Sequence, residues 1–420
     1  MYGIDFGTSN TVVTLGDGSA HHLLDLGEGP VLPSLLFFER NQLPSIGEEA
    51  RQKYTRALDR YRGRSDLYSH FRFFQALKLA LKDPSYKGTN IFGNFLSAEG
   101  LVGMYLKELR RRADLANGGG SSIAVMGRPV VLVDSDQAGE DAVMSRYRDA
   151  CERAGFDKIR FVLEPVAAMA NQIGHETGNA LVFDFGGGTL DISVARLRSD
   201  SVELLSTAGQ DLGGYMLNED ISRAKIIHHF GSDGKFRTMK GSWLAMPKWI
   251  TDQVASFYTL PLSDIAATRR TIKDLLPDVR GIDRPKLEGL MEFMDKNQSF
   301  RLFEAIDDAK ICISSEEESL IPFNLPPRIQ FCEPLVKADF ESIIARRVEA
   351  ARNLILKALH QAGLEPGDVG TVIRVGGSSR VPVFAGMLEG LFPGRVKEGE
   401  VFTSIASGLL TADRIGLSTE

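Results

Sequence analysis

The stretch from Ala180 to Ala195 constrains this chain more than any other. It reads Ala-Leu-Val-Phe-Asp184-Phe-Gly186-Gly187-Gly188-Thr189-Leu-Asp191-Ile-Ser-Val-Ala. Val, Ile and Phe favour strands, and a glycine cluster between two apolar runs reads as the turn of a hairpin. With no Cβ atoms at the turn, backbone N–H groups can converge on an anion. Asp184 closes the first strand and Asp191 opens the second. A carboxylate set directly on a phosphate would be repelled, so a bridging divalent cation is implied. The stretch reads as a Mg-phosphate cradle; the plainer alternative is a glycine-rich hairpin in an ordinary sheet.

The N-terminus has the same grammar. Met1-Tyr2-Gly3-Ile4-Asp5-Phe6-Gly7-Thr8-Ser9-Asn10-Thr11-Val12-Val13 is again strand, Asp, aromatic, glycine, hydroxyl residues and strand. Asp5 and Asp184 stand 179 residues apart in a chain of 420. A repeat at that spacing predicts two related lobes, each offering one hairpin to a shared cleft and clamping a polyphosphate from both sides.

The two segments resemble the phosphate motifs of the DnaK-type heat-shock chaperone ATPase, which shares its architecture with actin and hexokinase. Leu163-Glu164-Pro165-Val166-Ala167-Ala168 is similar to the family's connecting motif. Leu212-Gly213-Gly214 and Val375-Gly376-Gly377-Ser378-Ser379-Arg380 resemble its later glycine signatures. The order is kept over essentially the whole chain. Met126-Gly127-Arg128-Pro129 and the ending Val401-Phe402-Thr403-Ser404-Ile405-Ala406-Ser407-Gly408 resemble the short YegD-type branch, which lacks the peptide-binding domain.

The resemblance implies an α/β, two-lobed actin-like, ribonuclease-H-like ATPase fold with a central nucleotide cleft. Lobe I would cover 1–178, with an outer subdomain at about 39–95. Lobe II would cover 179–420, with an outer subdomain at about 220–303 and a final helix packing back toward lobe I. From about Asp220 to Phe303 the sequence departs from chaperone patterns. No leucine-rich linker or peptide-binding sandwich follows Gly408 in this sequence, so neither is expected.

It also implies roles. Gly7, Thr8, Ser9 and Asn10, with Gly186, Gly187 and Gly188, would hold the phosphates of ATP or ADP. Asp5 and Asp184 would hold Mg²⁺ through water, because that small, hard cation keeps much of its hydration shell. Glu164, Asp191 and Thr189 would position the attacking water. Lys78 stands roughly where the family's catalytic lysine does, with Lys82 as a competitor, and would offset developing charge. Gly213, Gly214, Gly376, Gly377 and Ser378 would join the nucleotide contacts. Asp307, Lys310 and Ser314, on a helix expected over Glu304–Ser315, would face the ribose and base. Ile311 replaces an arginine that stacks on adenine, leaving Arg380 to cover the other face.

Net charge of −6 and a pI near 5.8 argue against a nucleic-acid partner. Only Lys107–Arg112 is densely basic, and it reads as a solvated helix end. The cysteines (Cys151, Cys312, Cys332) are odd in number and scattered, which points to a reducing compartment, with cytoplasmic as the default. His228-His229 reads as non-metal, since neighbours on a helix or strand point apart. Trp243, Trp249, Phe257 and Tyr258 read as core. Helices are expected over Ala98–Ala116, Asp136–Ala154 and, capped by Asp339, Phe340–Leu359. Strands are expected over Ser122–Pro129, Ile159–Leu163, Val202–Thr207 and Val369–Val375.

The function expected is a slow Mg-dependent ATPase that couples nucleotide state to lobe closure. The alternatives are a sugar-type small-molecule kinase of the same fold, or a nucleotide-binding scaffold or filament subunit with little hydrolysis. No client or co-chaperone can be named from the sequence.

Overall fold

The computed structural model describes residues 1–420 apart from 17–19, 62–63, 65, 131–136, 171–175, 200, 257–264, 400–403 and 420. Phe257, Tyr258, Val401, Phe402 and Thr403 therefore lie outside the described residues. The chain divides into two compact units. One comprises Met1–Lys53, Ala76–Gly214 and Arg347–Glu420; the other comprises Tyr54–Gln75 and Tyr215–Arg346.

The first unit is built on two sheets. The first contains β1 (Tyr2–Phe6), β2 (Asn10–Gly16), β3 (His21–Leu23), β4 (Ile123–Arg128) and β5 (Lys158–Leu163), ordered β5-β4-β1-β2-β3. A short strand, Val31–Pro33, also pairs with β2. The second sheet contains β6 (Gly178–Phe185), β7 (Leu190–Leu197), β8 (Val202–Gln210), β9 (Thr371–Val375) and β10 (Val396–Glu398), ordered β10-β9-β6-β7-β8. The two orders are the same, each strand of the second sheet repeating one of the first. In each, a hairpin is extended by a third antiparallel strand on one side and two parallel strands on the other. The duplication expected from the two acidic hairpins extends to the whole sheet.

Parallel strands buried on both faces need helical cover. The helix Glu164–Ala170 supplies it together with Ser404–Arg414. Val125 and Val162 of the first sheet, Val182 and Ile373 of the second, and Leu409 and Leu410 of the last helix share one apolar cluster. The last helix sits so close that a methyl on Gly408 would lie 1.7 Å from the Ala167 carbonyl oxygen. Thr14 Oγ1 donates to the Ala406 carbonyl at 2.8 Å.

The helix Ala98–Asn117 begins on a Ser97 cap and stops at Gly118 in the left-handed conformation. Lys107–Arg112 lies inside this helix, not at its end. Arg112 is not solvated either: its guanidinium meets Glu28, Glu49 and Glu108.

The second unit has an aromatic core. Tyr54 stacks on Phe73 with ring centroids 4.4 Å apart, and its hydroxyl donates to the Asn297 carbonyl at 2.6 Å. Left-handed Asn297 ends the helix Arg284–Asp295, and the next helix starts at Ser299 and runs to Cys312. Ser314, expected inside this helix, thus falls past its end. The helix Lys337–Gln361 follows directly from the hairpin Glu318–Leu325/Ile329–Val336, because Lys337 N–H donates to the Glu317 carbonyl. Asp339 therefore sits in the first turn and does not cap it. Trp243 and Trp249 are half exposed, not core. The rings of His228 and His229 do not point apart: their centroids are 4.0 Å apart. Among the described residues no helix is long and apolar enough to cross a membrane.

Candidate functional site

The site grows from two turns closed alike. Gly7 N–H donates to the Asn10 carbonyl at 2.9 Å, and Gly186 N–H donates to the Thr189 carbonyl at 3.0 Å. Each turn follows an Asp at the end of its strand, Asp5 on β1 and Asp184 on β6. Asp184 is paired in register with Asp191 on β7.

The turns meet. A methyl on Gly187 would lie 2.4 Å from Ser9 Oγ, and one on Gly188 would lie 2.7 Å from Thr8 Oγ1. A methyl on Gly213 would collide with the Gly187 carbonyl oxygen at 2.3 Å, and Gly214 N–H donates to the Gly186 carbonyl at 3.0 Å. Ser378 Oγ donates to that same carbonyl at 2.8 Å. Gly376 needs its glycine twice over, with φ at 79° and an added methyl 2.4 Å from the Phe185 carbonyl oxygen. It opens the short 3-10 turn Gly377–Arg380.

Behind the turns lies a carboxylate cluster with a buried ammonium. Lys78, on the helix Leu77–Lys82, places Nζ 2.5 Å from Glu164 Oε1, with both side chains buried. Lys78 is therefore no surface lysine. Lys82 turns elsewhere, with Nζ 2.5 Å from Asp211 Oδ1. Gly127 leaves the room: a methyl there would lie 3.1 Å from Glu164 Cγ and 3.8 Å from Asp5 Oδ1.

Electrostatics follow from crowding. Burial, then the Glu164 carboxylate, push Asp5 up to about 7 against the pull of Lys78. Asp184 is driven well above the usual carboxylate range by burial, Glu164, Asp191 and Asp5. Asp191 rises to about 6 through burial and Glu164, although Thr189, Lys82 and the Val130 N–H hold it back. Burial would lower Lys78, but the Glu164 and Asp5 charges and the buried Tyr147 raise it overall, so its ammonium stays charged.

Val130 N–H donates to Asp191 Oδ1 at 2.9 Å, while Asp191 Oδ2 is buried with no hydrogen-bond partner. An orphaned carboxylate oxygen among acids that resist ionisation marks surplus negative charge. A hard divalent cation carrying its own waters fits such an all-oxygen donor set.

The other expected contacts are distributed as follows. Arg380 leads away to Glu398, with Nε 2.9 Å from Oε1. Asp307, Lys310 and Ser314 belong to the second unit. There Lys310 Nζ is 2.5 Å from Asp307 Oδ1, Asn218 Nδ2 donates to the same oxygen at 3.0 Å, and Ser314 Oγ donates to the Lys310 carbonyl at 3.0 Å. Burial would raise Asp307, but Lys310 and Asn218 hold it below the usual range. Ile311 is exposed.

Sequence reasoning missed Arg146. Its guanidinium donates to the Ala80, Asp83 and Tyr86 carbonyls at 3.1, 2.6 and 2.8 Å and meets Glu99 Oε1 at 2.5 Å, bracing the end of the Lys78 helix. The carbonyls are 60–66 residues away along the chain and Glu99 is 47 away, and no local pattern signals the contact.

The chain matches the family model described as "Hsp70 protein" over residues 1–240 and 286–401. It is 27% identical over 405 residues to the chaperone protein DnaK of Trichormus variabilis, covering 91% of this chain and 49% of that one. It is 27% identical over 407 residues to the chaperone protein DnaK of Prochlorococcus marinus, covering 91% and 53%. The chain spans about half the length of the curated relatives it matches. The departure from chaperone patterns expected over about 220–303 is narrower than that, because the family match lapses within it only at 241–285. With its α/β fold, its paired acidic hairpins and a family match over most of its length, this chain belongs to the Hsp70 family.

Proposed function

We propose that this chain binds ATP and ADP with Mg²⁺ and hydrolyses ATP slowly. The observation that carries the reading is the meeting of two identically closed turns, Gly7–Asn10 and Gly186–Thr189, beside Asp5, Glu164, Asp184, Asp191 and Lys78.

Bound ATP supplies the phosphoryl group, and Mg²⁺ supplies the charge its oxygens require. The turn N–H groups, with Thr8 and Ser9, hold phosphate oxygens. Asp5 and Asp184 hold the cation through its waters. Glu164, Asp191 and Thr189 orient the attacking water, with Asp191 positioned by the Val130 N–H. Lys78 offsets the charge that builds during transfer. Catalysis rests on positioning and electrostatics, with no covalent nucleophile. Gly213, Gly214, Gly376, Gly377 and Ser378 shape the turns that accept the nucleotide. Nucleoside contacts by Asp307, Lys310, Ser314 and Arg380 are proposed from the resemblance alone, as are lobes I (1–178) and II (179–420), closure on ATP and a protein client. The free cysteines fit a reducing, cytoplasmic setting.

Calorimetric titration with ATP, ADP and GTP in Mg²⁺, followed by a phosphate-release assay, tests the reading. Asp184→Asn should remove Mg-dependent release; undiminished turnover in that variant would overturn the metal assignment.

A further inference from the structure

A second group of ligating side chains lies in the other unit, on residues the ATPase reading does not use. His228 and His229 stand in the short 3-10 helix Ile227–Phe230, and Glu333 stands on the strand Ile329–Val336. Both rings turn toward that carboxylate. His229 Nε2 is 2.7 Å from Glu333 Oε1, and His228 Nε2 is 3.8 Å from the same oxygen. One donor atom from each residue can be chosen so that all three lie within 4.8 Å of one another. Donors on a tetrahedral zinc ion, with bonds of about 2.0–2.1 Å, are separated by roughly 3.3 Å. The two His–Glu333 spacings bracket that value, and no pair of the three donors is separated by more than 4.8 Å.

Two features make the donors ready. His229 lies flat on Phe331, with centroids 4.2 Å apart and an interplanar angle of 11°, which fixes its ring plane. Burial and the neighbouring His229, then Lys286, hold His228 below its ordinary value, while Glu333 and Asp233 pull the other way. Lys286 is engaged by Asp233 at 2.9 Å, which tempers its repulsion of a cation. All three ligands remain partly exposed, so a cation can enter and a water can take the fourth position.

We propose that His228, His229 and Glu333 bind a divalent transition cation of the zinc class. Two imidazoles and a carboxylate suit zinc, cobalt or nickel and select against Mg²⁺, which prefers oxygen ligands alone. The ion would clasp the 3-10 helix to the hairpin strand inside one unit. Its role is structural and separate from the chemistry of Asp5 and Asp184.

The test uses the full, tag-free, metal-stripped chain titrated with Co²⁺ and then Zn²⁺, with excess Mg²⁺ present throughout. One equivalent of Co²⁺ should give the intense visible bands of a four-coordinate ion, and Zn²⁺ should displace it and raise Tm. His228→Ala and Glu333→Gln should each weaken binding at least tenfold and remove the Tm rise, with phosphate release unchanged. Cys312→Ser/Cys332→Ser should bind like the parent. The absence of saturable Co²⁺ binding would overturn the proposal. So would binding undiminished in both His228→Ala and Glu333→Gln, or binding lost in the cysteine variant.

Discussion

The Lys78 ammonium lies 2.5 Å from Glu164 Oε1, with both side chains sealed from solvent among further carboxylates. Removing one partner strands the other. Lys78→Met leaves Glu164 unanswered beside Asp5 and Asp184 and should cost about 3–5 kcal/mol of stability. The double variant Lys78→Met/Glu164→Gln should lose less than the sum of the two single variants, because neither charge is left alone. Urea unfolding of the four proteins at pH 7 checks this; additive losses would refute it.

Crowding of acids sets a pH signature. Asp5 and Asp191 have folded values near 7 and 6, above the ordinary value of 3.8. For an acid raised on folding, the native state holds the proton longer. Its contribution is fully present below the unfolded value and is lost as pH rises through the folded one. Without Mg²⁺, the wild type should therefore lose stability relative to Asp5→Asn/Asp191→Asn between about pH 4 and 7. Added Mg²⁺ should restore stability at pH 7 in the wild type and much less in the variant. Denaturation midpoints across pH, with EDTA or with Mg²⁺, provide the measurement.

Two glycines of the cradle should respond in opposite ways. A methyl on Gly186 meets only the Thr189 carbonyl oxygen, at 3.8 Å, whereas one on Gly213 strikes Gly187 and Gly188 backbone atoms at 2.3–2.5 Å. Gly186→Ala should keep Tm nearly unchanged yet weaken ATP binding at least tenfold, because the methyl enters the anion cradle. Gly213→Ala should cost about 1–3 kcal/mol through overpacking. Differential scanning fluorimetry paired with ATP titration separates the two.

Arg146 should act on the reaction at a distance. Arg146→Ala frees three carbonyls at the end of the Lys78 helix, so the Lys78 ammonium loses its fixed position. We expect kcat for phosphate release to fall about tenfold or more with KM little changed, and Arg146→Lys to recover only part, since one ammonium cannot reproduce the planar fork. A change confined to KM would count against the bracing role.

Both hairpins could be read from sequence because their determinants are adjacent: apolar runs, an Asp, and glycines where Cβ atoms would intrude. The strand-to-helix junction at Glu164 and Pro165 was readable for the same reason. Which of Lys78 and Lys82 meets the buried carboxylates was not, because Lys82 is drawn to Asp211, 129 residues beyond it. The histidine rings were expected to point apart on helix or strand geometry, whereas a 3-10 turn and a shared carboxylate bring them together. Trp243 and Trp249 were expected inside on residue type alone, and type sets burial only on average. Asp339 looked like a helix cap because the strand ending at Val336, which runs straight into the helix, leaves no mark in the local pattern.

Asp5, Glu164, Asp184, Asp191 and Lys78 all lie in the segments 1–53, 76–214 and 347–420, so the polypeptide makes two excursions, at 54–75 and 215–346, and comes home to the same scaffold each time. Neither excursion carries a member of that buried carboxylate and ammonium cluster. The family match lapses at 241–285, inside the longer one.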